Sequence, residues 1–239
     1  MNEANRIASV IDHTLLKPDA RRDDIARMCV EAMRYGFYSV CVNGMWVAEC
    51  RSLLADSGVR ISAVCGFPLG AMASAAKARE AEIAVRDGAA EIDMVLPVGA
   101  LIGGDCARVE RDIREVAEAV RGAALVKVIL ETGYLNREQI ALGCRLAEEA
   151  GADFVKTSTG FGPGGAREED VRLMRASVSA RMRIKASGGI RDAETALRML
   201  AAGADRIGTS SGVAIVEGLR NASPPCPRTG PDPGRRDGG

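Results

Sequence analysis

Five charged side chains stand within or at the end of short apolar runs, where folded proteins seldom tolerate charge. They are Asp12, Asp93, Lys127, Lys156 and Lys185. Burying a charge among apolar groups is costly unless the charge is paired and hydrogen-bonded. Because the five belong to different predicted strands, we expect them to meet in one polar centre. Taken singly, each one also fits an internal ion pair that only supports the fold.

Lys156 is the strongest candidate nucleophile in this set. An amine attacks a carbonyl carbon only when it is neutral, and a lysine with the ordinary pKa of about 10.4 is protonated at neutral pH. Burial and a second ammonium group nearby both lower that pKa. Lys156 beside Lys185 is therefore predicted to form a Schiff base, and Asp93 could hold a water molecule and move protons. On this segment alone, a surface lysine that caps a strand is the competing interpretation.

Three segments rich in glycine and hydroxyl groups follow the last three predicted strands. They are residues 159–160, 187–191 and 208–212. Backbone N–H groups in such loops bind anions, as does the first turn of a helix, and (β/α)8 barrels often hold phosphate in this position. The sequence therefore predicts an anion pocket beside Lys156.

Strands and helices alternate eight times along the chain, which predicts a single closed (β/α)8 TIM barrel. Apolar runs predict strands at residues 8–11, 37–42, 59–65, 90–95, 124–130, 152–156, 182–186 and 205–208. Amphipathic stretches predict helices at residues 23–35, 46–56, 74–86, 105–120, 136–150, 168–180, 192–202 and 211–219. No Gly-x-Gly-x-x-Gly motif follows the first strand, so an open dinucleotide-binding sheet is disfavoured.

The composition fits one domain with a large aliphatic core. Hydrophobic residues make up 47% of the 239 residues but aromatic residues only 3%, a mixture expected of parallel strands covered by helices. We assign residues 1–220 to the barrel, including a short N-terminal extension. Residues 221–239 contain five of the nine prolines and no aromatic or branched aliphatic residue, so they are predicted to form a disordered tail.

Charge and cysteine usage exclude several classes of function. The 32 basic and 32 acidic residues balance, and no basic stripe carries interleaved aromatic residues, so we expect no binding to nucleic acid or to a membrane surface. Seven scattered cysteines without a C-x-x-C motif are typical of the cytoplasm. Since His13 is the only histidine, we expect no metal site. Residues 1–9 lack the apolar segment of a secretory leader, and no apolar run reaches membrane-spanning length, so we expect a cytoplasmic protein.

Seven sequence blocks resemble those of the deoxyribose-phosphate aldolases. They are DHTLLKP (12–18), VCVN (40–43), GFPLG (66–70), EIDMV (91–95), KVILET (127–132), FVKTSTGF (154–161) and KASGGI (185–190). The resemblance covers nearly the whole chain except the tail. It implies a class I aldolase that works without a metal or other cofactor on a (β/α)8 barrel. The implied reaction is the reversible cleavage of 2-deoxy-D-ribose 5-phosphate to D-glyceraldehyde 3-phosphate and acetaldehyde, in deoxyribose catabolism.

The resemblance also implies a role for each candidate residue. Lys156 would form the imine, Lys185 would lower its pKa and assist proton transfer, and Asp93 would donate and accept protons. Asp12 and Lys127 would support this network. Thr159 would meet a substrate hydroxyl, and the phosphate would be surrounded by Gly160, Gly188, Gly189, Arg191, Ser210 and Ser211.

Two alternatives remain open from the sequence. The same lysine and loops would suit another class I barrel aldolase that acts on a different phosphorylated sugar. A cluster that is only structural would instead leave an inactive phosphate-binding barrel. The expected partners are small molecules, the phosphorylated sugar and acetaldehyde. A homodimer is compatible with the resemblance, but no single apolar face identifies an interface.

Residues outside the cluster have plainer interpretations. Cys41 is expected to be a small core residue, and a partly exposed thiol open to modification by an aldehyde is the alternative. His13 is expected to be structural. Lys77 and Glu80, three residues apart on an alanine-rich helix, are expected to form a solvated pair.

Overall fold

The computed structural model describes residues 3–222 of the chain. The eight strands in this range are β1 (Ile11–Leu15), β2 (Ser39–Val42), β3 (Arg60–Cys65), β4 (Glu91–Val95), β5 (Leu125–Ile129), β6 (Phe154–Lys156), β7 (Arg183–Ser187) and β8 (Arg206–Thr209). They form a closed parallel barrel in sequence order, in which β8 pairs with β1. The predicted (β/α)8 fold is confirmed.

Helices follow every strand and cover the outside of the barrel. Within residues 3–222 they are α1 (Glu3–Ala8), α2 (Arg22–Tyr35), α3 (Val47–Leu53), α4 (Ser74–Asp87), α5 (Val98–Ile102), α6 (Cys106–Ala119), α7 (Arg137–Glu149), α8 (Glu168–Ser177), α9 (Ala193–Ala201) and α10 (Gly212–Ala222). The short helices α1 and α5 are additions to the eight repeats. None of the helices in this range has the length and apolar character needed to cross a membrane.

Alternation along the strands places the charged residues on the barrel axis. In β4, Ile92 and Met94 belong to the apolar core, while Asp93 between them hydrogen-bonds to side chains from other strands across the barrel. In β5, Val128 is likewise part of the core, and Lys127 pairs in register with Asp93. Successive side chains of a strand face opposite sides, so the same apolar runs build both the core and a charged interior.

The prediction at the amino end is wrong about where the first strand begins. Ala8 ends helix α1, and β1 begins only at Ile11, so Asp12 lies within the strand rather than after it. Ala4, Ile7 and Ala8 are buried, a spacing typical of one helical face. Helix α1 packs on α10, so the N-terminal extension is joined to the last helix of the barrel.

The boundary between barrel and tail also differs from the prediction. Helix α10 ends at Ala222, so Asn221, the first residue assigned to the tail, is helical. The rest of the predicted tail, residues 223–239, lies outside the described residues. The short helix α5 is a further element that the sequence pattern did not predict.

The expected solvated pair of Lys77 and Glu80 is wrong. Lys77 is fully buried, and its Nζ donates to Asp112 Oδ2 at 2.7 Å and to the Val95 carbonyl oxygen at 2.9 Å. Glu80 accepts a hydrogen bond from the Gly66 N–H at 2.7 Å. Alanine fits both a buried and an exposed face, so an alanine-rich helix does not reveal which of its faces meets solvent.

His13 and Cys41 both lie in the interior. His13 Nε2 is 2.7 Å from Glu31 Oε2, and its ring lies 4.9 Å from that of Phe37, which fits the structural role expected of it. Cys41 is fully buried, with its Sγ 3.9 Å from Asp93 Oδ2. Burial raises the pKa of the Cys41 thiol, so it is a core residue rather than a partly exposed one.

Candidate active site

Seven charged side chains meet inside the barrel, and all of them are buried. They are the cations Lys127, Lys156, Lys185 and Arg206 and the carboxylates Asp12, Glu91 and Asp93. The structure thus brings together all five residues that the sequence singles out. It adds Glu91 and Arg206.

Asp93 is the centre of this cluster. Lys127 Nζ donates to its Oδ1 at 2.7 Å, and the Nζ atoms of Lys156 and Lys185 donate to its Oδ2 at 2.7 and 2.8 Å. The Ser62 hydroxyl donates to Oδ1 at 2.9 Å. Burial alone would raise the pKa of Asp93, but the three ammonium groups outweigh it and hold that pKa well below its ordinary value. The carboxylate therefore stays ionised.

Asp12 is the second carboxylate that contacts Lys185, in addition to Asp93. Its Oδ2 lies 2.5 Å from Lys185 Nζ, and its Oδ1 accepts hydrogen bonds from Arg206 at 2.8 Å and from the Ser39 hydroxyl at 2.7 Å. Burial raises the pKa of Asp12, yet its cationic neighbours outweigh burial and lower that pKa overall. Lys185 is thus held between two ionised carboxylates.

Glu91 and Arg206 complete the cluster, and neither was among the residues selected from the sequence. Glu91 Oε2 lies 2.6 Å from Lys127 Nζ and 3.2 Å from the Arg206 guanidinium. Glu91 stands two residues before Asp93 in β4, so the alternation of strand side chains could have placed both on one face. Arg206 is the first residue of a strand of only four residues. At that position an exposed polar residue at the strand end is an equally good prediction.

The cluster contains four cations but only three carboxylates. One positive charge is therefore not compensated, and the cation most affected is Lys156. Burial lowers the pKa of Lys156; Asp93 opposes that effect and the charge of Lys185 adds to it, so the pKa lies below its ordinary value. In Lys185 burial acts in the same direction, but Asp12 and Asp93 outweigh it and raise the pKa. Asp93 raises the pKa of Lys127 in the same way. Lys156 is the lysine of the cluster that gives up its proton first.

Lys156 is also the member of the cluster that reaches an open cavity. It ends β6, where the strand passes into a loop at the carboxyl end of the barrel. The cavity has a volume of about 240 Å³ and is lined by Lys156 but by none of the other six charged residues of the cluster. Within the cluster, the lysine with the lowered pKa is therefore also the lysine that a ligand can touch.

Most of the predicted substrate-binding residues line this cavity. They are Thr159, Gly160, Gly188, Gly189, Arg191 and Ser210. Ser211 does not line it; its backbone N–H donates to the Thr209 hydroxyl at 2.9 Å. Gly160, Gly188 and Gly189 have φ angles of 85°, 90° and 77°, which L side chains rarely adopt.

Two cations, Lys17 and Arg191, line the same cavity from two loops on either side of the loop that follows β8. Lys17 follows β1 and Arg191 follows β7, and neither forms an ion pair with another residue in the range 3–222. Of the described residues that line the cavity, none carries a carboxylate. The cavity is therefore electropositive and suited to an anion. Lys17 lies in the first resembling block, but the sequence assigned it no role.

Side chains that bind metals are not gathered anywhere in the described part of the chain. Among residues 3–222, no three His, Cys, Asp or Glu side chains form a group that could hold a metal ion. The carboxylates of the barrel interior pair with cations instead. The six cysteines of this range are free thiols.

Comparison with known proteins identifies close relatives. The model of the DeoC/LacD family of aldolases matches residues 6–218. The deoxyribose-phosphate aldolase of Thermococcus gammatolerans is 56% identical over 219 residues, covering 90% of this chain and 97% of that protein. The deoxyribose-phosphate aldolase of a Geobacillus species is 55% identical over 214 residues, covering 90% of this chain and 96% of that protein.

Solved structures give the same result. A putative deoxyribose-phosphate aldolase from Coccidioides immitis matches with a TM-score of 0.89 and 42% identity, covering 92% of this chain and 87% of that one. The deoxyribose phosphate aldolase of Aeropyrum pernix, described as a unique tetrameric structure, matches with a TM-score of 0.86 and 34% identity. That alignment covers 91% of this chain and 92% of the Aeropyrum chain.

Proposed function

The chain belongs to the DeoC/LacD family of aldolases, and on that premise we propose that it cleaves 2-deoxy-D-ribose 5-phosphate reversibly, through a Schiff base on Lys156. The single observation that carries this proposal is the position of Lys156. It is the lysine of the buried cluster whose pKa is lowered, and it lines the electropositive cavity. The relatives that are identical to this chain at more than half of the aligned positions are named deoxyribose-phosphate aldolases. Their name supports 2-deoxy-D-ribose 5-phosphate as the substrate.

The first step uses the neutral amine of Lys156. Its Nζ attacks C1 of the open-chain aldehyde, and the C1 oxygen leaves as water after it has taken up two protons, which gives a protonated imine. Asp93 Oδ2 accepts hydrogen bonds from both Lys156 and Lys185 at 2.7 and 2.8 Å. These two hydrogen bonds provide a path by which protons reach and leave the reacting nitrogen.

The second step breaks the bond between C2 and C3. The C3 hydroxyl loses its proton, the C2–C3 electron pair moves toward the imine nitrogen, and C3 becomes the aldehyde carbon of D-glyceraldehyde 3-phosphate. Protonation of the enamine at C2 and addition of water then release acetaldehyde and restore Lys156. The positive charge of Lys185 stabilises the neutral amine that this cycle needs at its start and end.

The phosphate end of the substrate fits the loops after β7 and β8. Gly188, Gly189 and Ser210 line the cavity together with Arg191 and Lys17. Backbone N–H groups and two cations without carboxylate competitors suit a dianionic phosphate. We propose Lys17 as a phosphate-binding residue in addition to those that the sequence predicts. Ser211, which directly precedes α10 and does not line the cavity, is not included among the side chains proposed to contact the phosphate.

The test is retro-aldol turnover measured with two substrates. The purified protein is expected to release D-glyceraldehyde 3-phosphate from 2-deoxy-D-ribose 5-phosphate, and to act far more slowly on unphosphorylated 2-deoxy-D-ribose. Turnover of a different phosphorylated sugar alone would favour another class I aldolase. Binding of phosphate without turnover of any sugar would favour an inactive barrel.

Further parts of the proposal concern the setting of the reaction. We place the enzyme in the cytoplasm, since its free thiols are stable in a reducing compartment. A place in deoxyribose catabolism follows from the proposed substrate. Association into a homodimer is a further expectation, which light scattering on a sizing column would test. A tetramer is described for the Aeropyrum relative.

A further inference from the structure

Glu131 is a buried carboxylate just outside the substrate cavity that the reaction described above does not use. It follows β5, is 3% exposed, and has a φ of 58°, a conformation uncommon outside glycine. Within residues 3–222 no cation forms an ion pair with it. On one side Gly162 packs closely against it, because a Cβ there would lie 2.7 Å from the Glu131 carboxyl carbon. On another side Glu131 lines a neighbouring cavity of about 330 Å³. A strained backbone and a desolvated charge at one residue point to a specific task.

The hydrogen bonds of Glu131 go to Thr159. The Thr159 N–H donates to its Oε1 at 3.2 Å and to its Oε2 at 3.3 Å, and the Thr159 hydroxyl lies in close hydrogen-bonding contact with Oε2. A carboxylate only accepts hydrogen bonds, so the single proton of the Thr159 hydroxyl is directed to Glu131. That proton is then not available to a ligand.

One acceptor position remains on the Thr159 oxygen. A hydroxyl oxygen has two lone pairs, and one of them accepts the Phe161 N–H at 3.0 Å. Thr159 lines the substrate cavity together with Lys156 and Gly160. Glu131 does not line that cavity; it lines the neighbouring one, which Thr159 also borders. The only hydrogen bond that Thr159 can offer a ligand through its hydroxyl is therefore that of an acceptor.

We propose that Glu131 is a positioning residue that fixes the polarity of the Thr159 hydroxyl, so that the site selects a substrate group that donates a hydrogen bond. This inference rests on the proposed aldol reaction and names the feature that it recognises. The group is a sugar hydroxyl away from the reacting bond, namely the C4 hydroxyl of the cleaved sugar. The same hydroxyl is at C2 of the acceptor aldehyde in the reverse direction. An ether, a fluorine or a carbonyl at that carbon finds no donor in Thr159.

The experiment is condensation of acetaldehyde with three phosphorylated acceptors. These are D-glyceraldehyde 3-phosphate and its analogues with fluorine or hydrogen in place of the C2 hydroxyl. Comparing the wild type with Thr159→Val for each acceptor cancels the intrinsic reactivity of the aldehydes. We expect the loss of kcat/KM to be about tenfold larger with the hydroxyl acceptor than with either analogue, as for loss of one hydrogen bond. A loss of the same size with all three acceptors, or with both the hydroxyl and the fluorinated acceptor, would overturn the assigned polarity.

Variants of Glu131 test whether it acts through Thr159. Glu131→Ala is expected to lower the preference for hydroxyl over fluorine about as much as Thr159→Val, and the double variant no further. Glu131→Gln covers the case in which the alanine variant fails to fold. The amide group of glutamine would donate to the Thr159 oxygen and fill its free lone pair, so the preference should fall as well. Glu138→Ala, on the exposed first turn of α7, serves as the matched control and should keep the preference.

The outcomes separate this inference from the proposed reaction. Glu131 variants that retain the full hydroxyl preference would overturn the positioning role, even if their melting temperature or overall rate changed. A wild-type protein without any condensation activity would instead contradict the aldolase reaction itself. If Glu131 only supported folding, its variants would lose kcat/KM equally for all three acceptors. That result differs from the one expected of a positioning residue and from a complete lack of condensation activity.

Discussion

Replacing Lys185 with leucine removes the charge that holds the pKa of Lys156 down. Both ammonium nitrogens bind Asp93 Oδ2, at 2.7 and 2.8 Å, so they lie at most about 5.5 Å apart. At that distance, and with an effective dielectric constant of about 20, two unit charges repel by about 3 kcal/mol, which equals about 2 pKa units. Removing this repulsion favours the protonated form of Lys156, so its pKa rises.

The rise should appear as a displaced pH profile. The neutral fraction of Lys156 near neutral pH should fall about 100-fold in Lys185→Leu, and kcat/KM with it, because each pKa unit is a factor of ten. Raising the pH should restore the neutral amine and with it much of the activity. The measurement is kcat/KM for 2-deoxy-D-ribose 5-phosphate from mildly acidic to alkaline pH, with circular dichroism to confirm folding.

Lys127→Leu is the matched control for that experiment. It also removes a buried ammonium group from Asp93, but from the opposite oxygen, Oδ1, at 2.7 Å. The charge of Lys185, and not that of Lys127, is among the main causes of the lowered pKa of Lys156. Lys127→Leu is therefore expected to displace the profile less than Lys185→Leu. Equal displacements in both variants, or a lower rate at every pH without displacement, would refute the assigned pKa role of Lys185.

Three further predictions concern other parts of the chain. Lys17→Met should raise KM for 2-deoxy-D-ribose 5-phosphate at least several-fold and leave turnover of unphosphorylated 2-deoxy-D-ribose unchanged; steady-state kinetics that show equal effects would contradict phosphate binding. Lys77→Leu leaves Asp112 buried without its cation, so urea unfolding should show a loss of about 3–5 kcal/mol; a stability near that of the wild type would show that water reaches Asp112. Deleting residues 223–239 should leave Tm almost unchanged, and a large fall in a thermal melt would show that the predicted tail packs.

The reactive cluster was predictable because charge within apolar runs is rare. Lys127, Lys156 and Lys185 each interrupt a run that would otherwise be a buried strand, and a parallel barrel brings all strands around one axis. Eight repeats of strand and helix then determined the fold. The same reasoning failed at residues 8–11, because a short apolar helix and a short strand have similar compositions when only a few residues are available.

Residues that act at a distance from the substrate were harder to predict. Glu131 follows a strand in a loop, and its backbone conformation and its hydrogen bonds to Thr159 depend on two loops that meet only in the folded barrel. Lys77 is buried because α4 and α6 pack against each other, which no local pattern along α4 encodes. Sequence periodicity predicts which face of a helix or strand is buried. Contacts between residues of different elements depend in addition on which elements become neighbours in the fold.

The central claim is that Lys156 forms the covalent intermediate. The measurement that tests it most directly is reduction with borohydride in the presence of acetaldehyde, followed by digestion and mass spectrometry of the modified peptide. The account predicts a reduced adduct on Lys156, and none on Lys185, whose raised pKa keeps it protonated. Two results would contradict it. One is the absence of any adduct; the other is an adduct that forms only on another lysine and inactivates the enzyme.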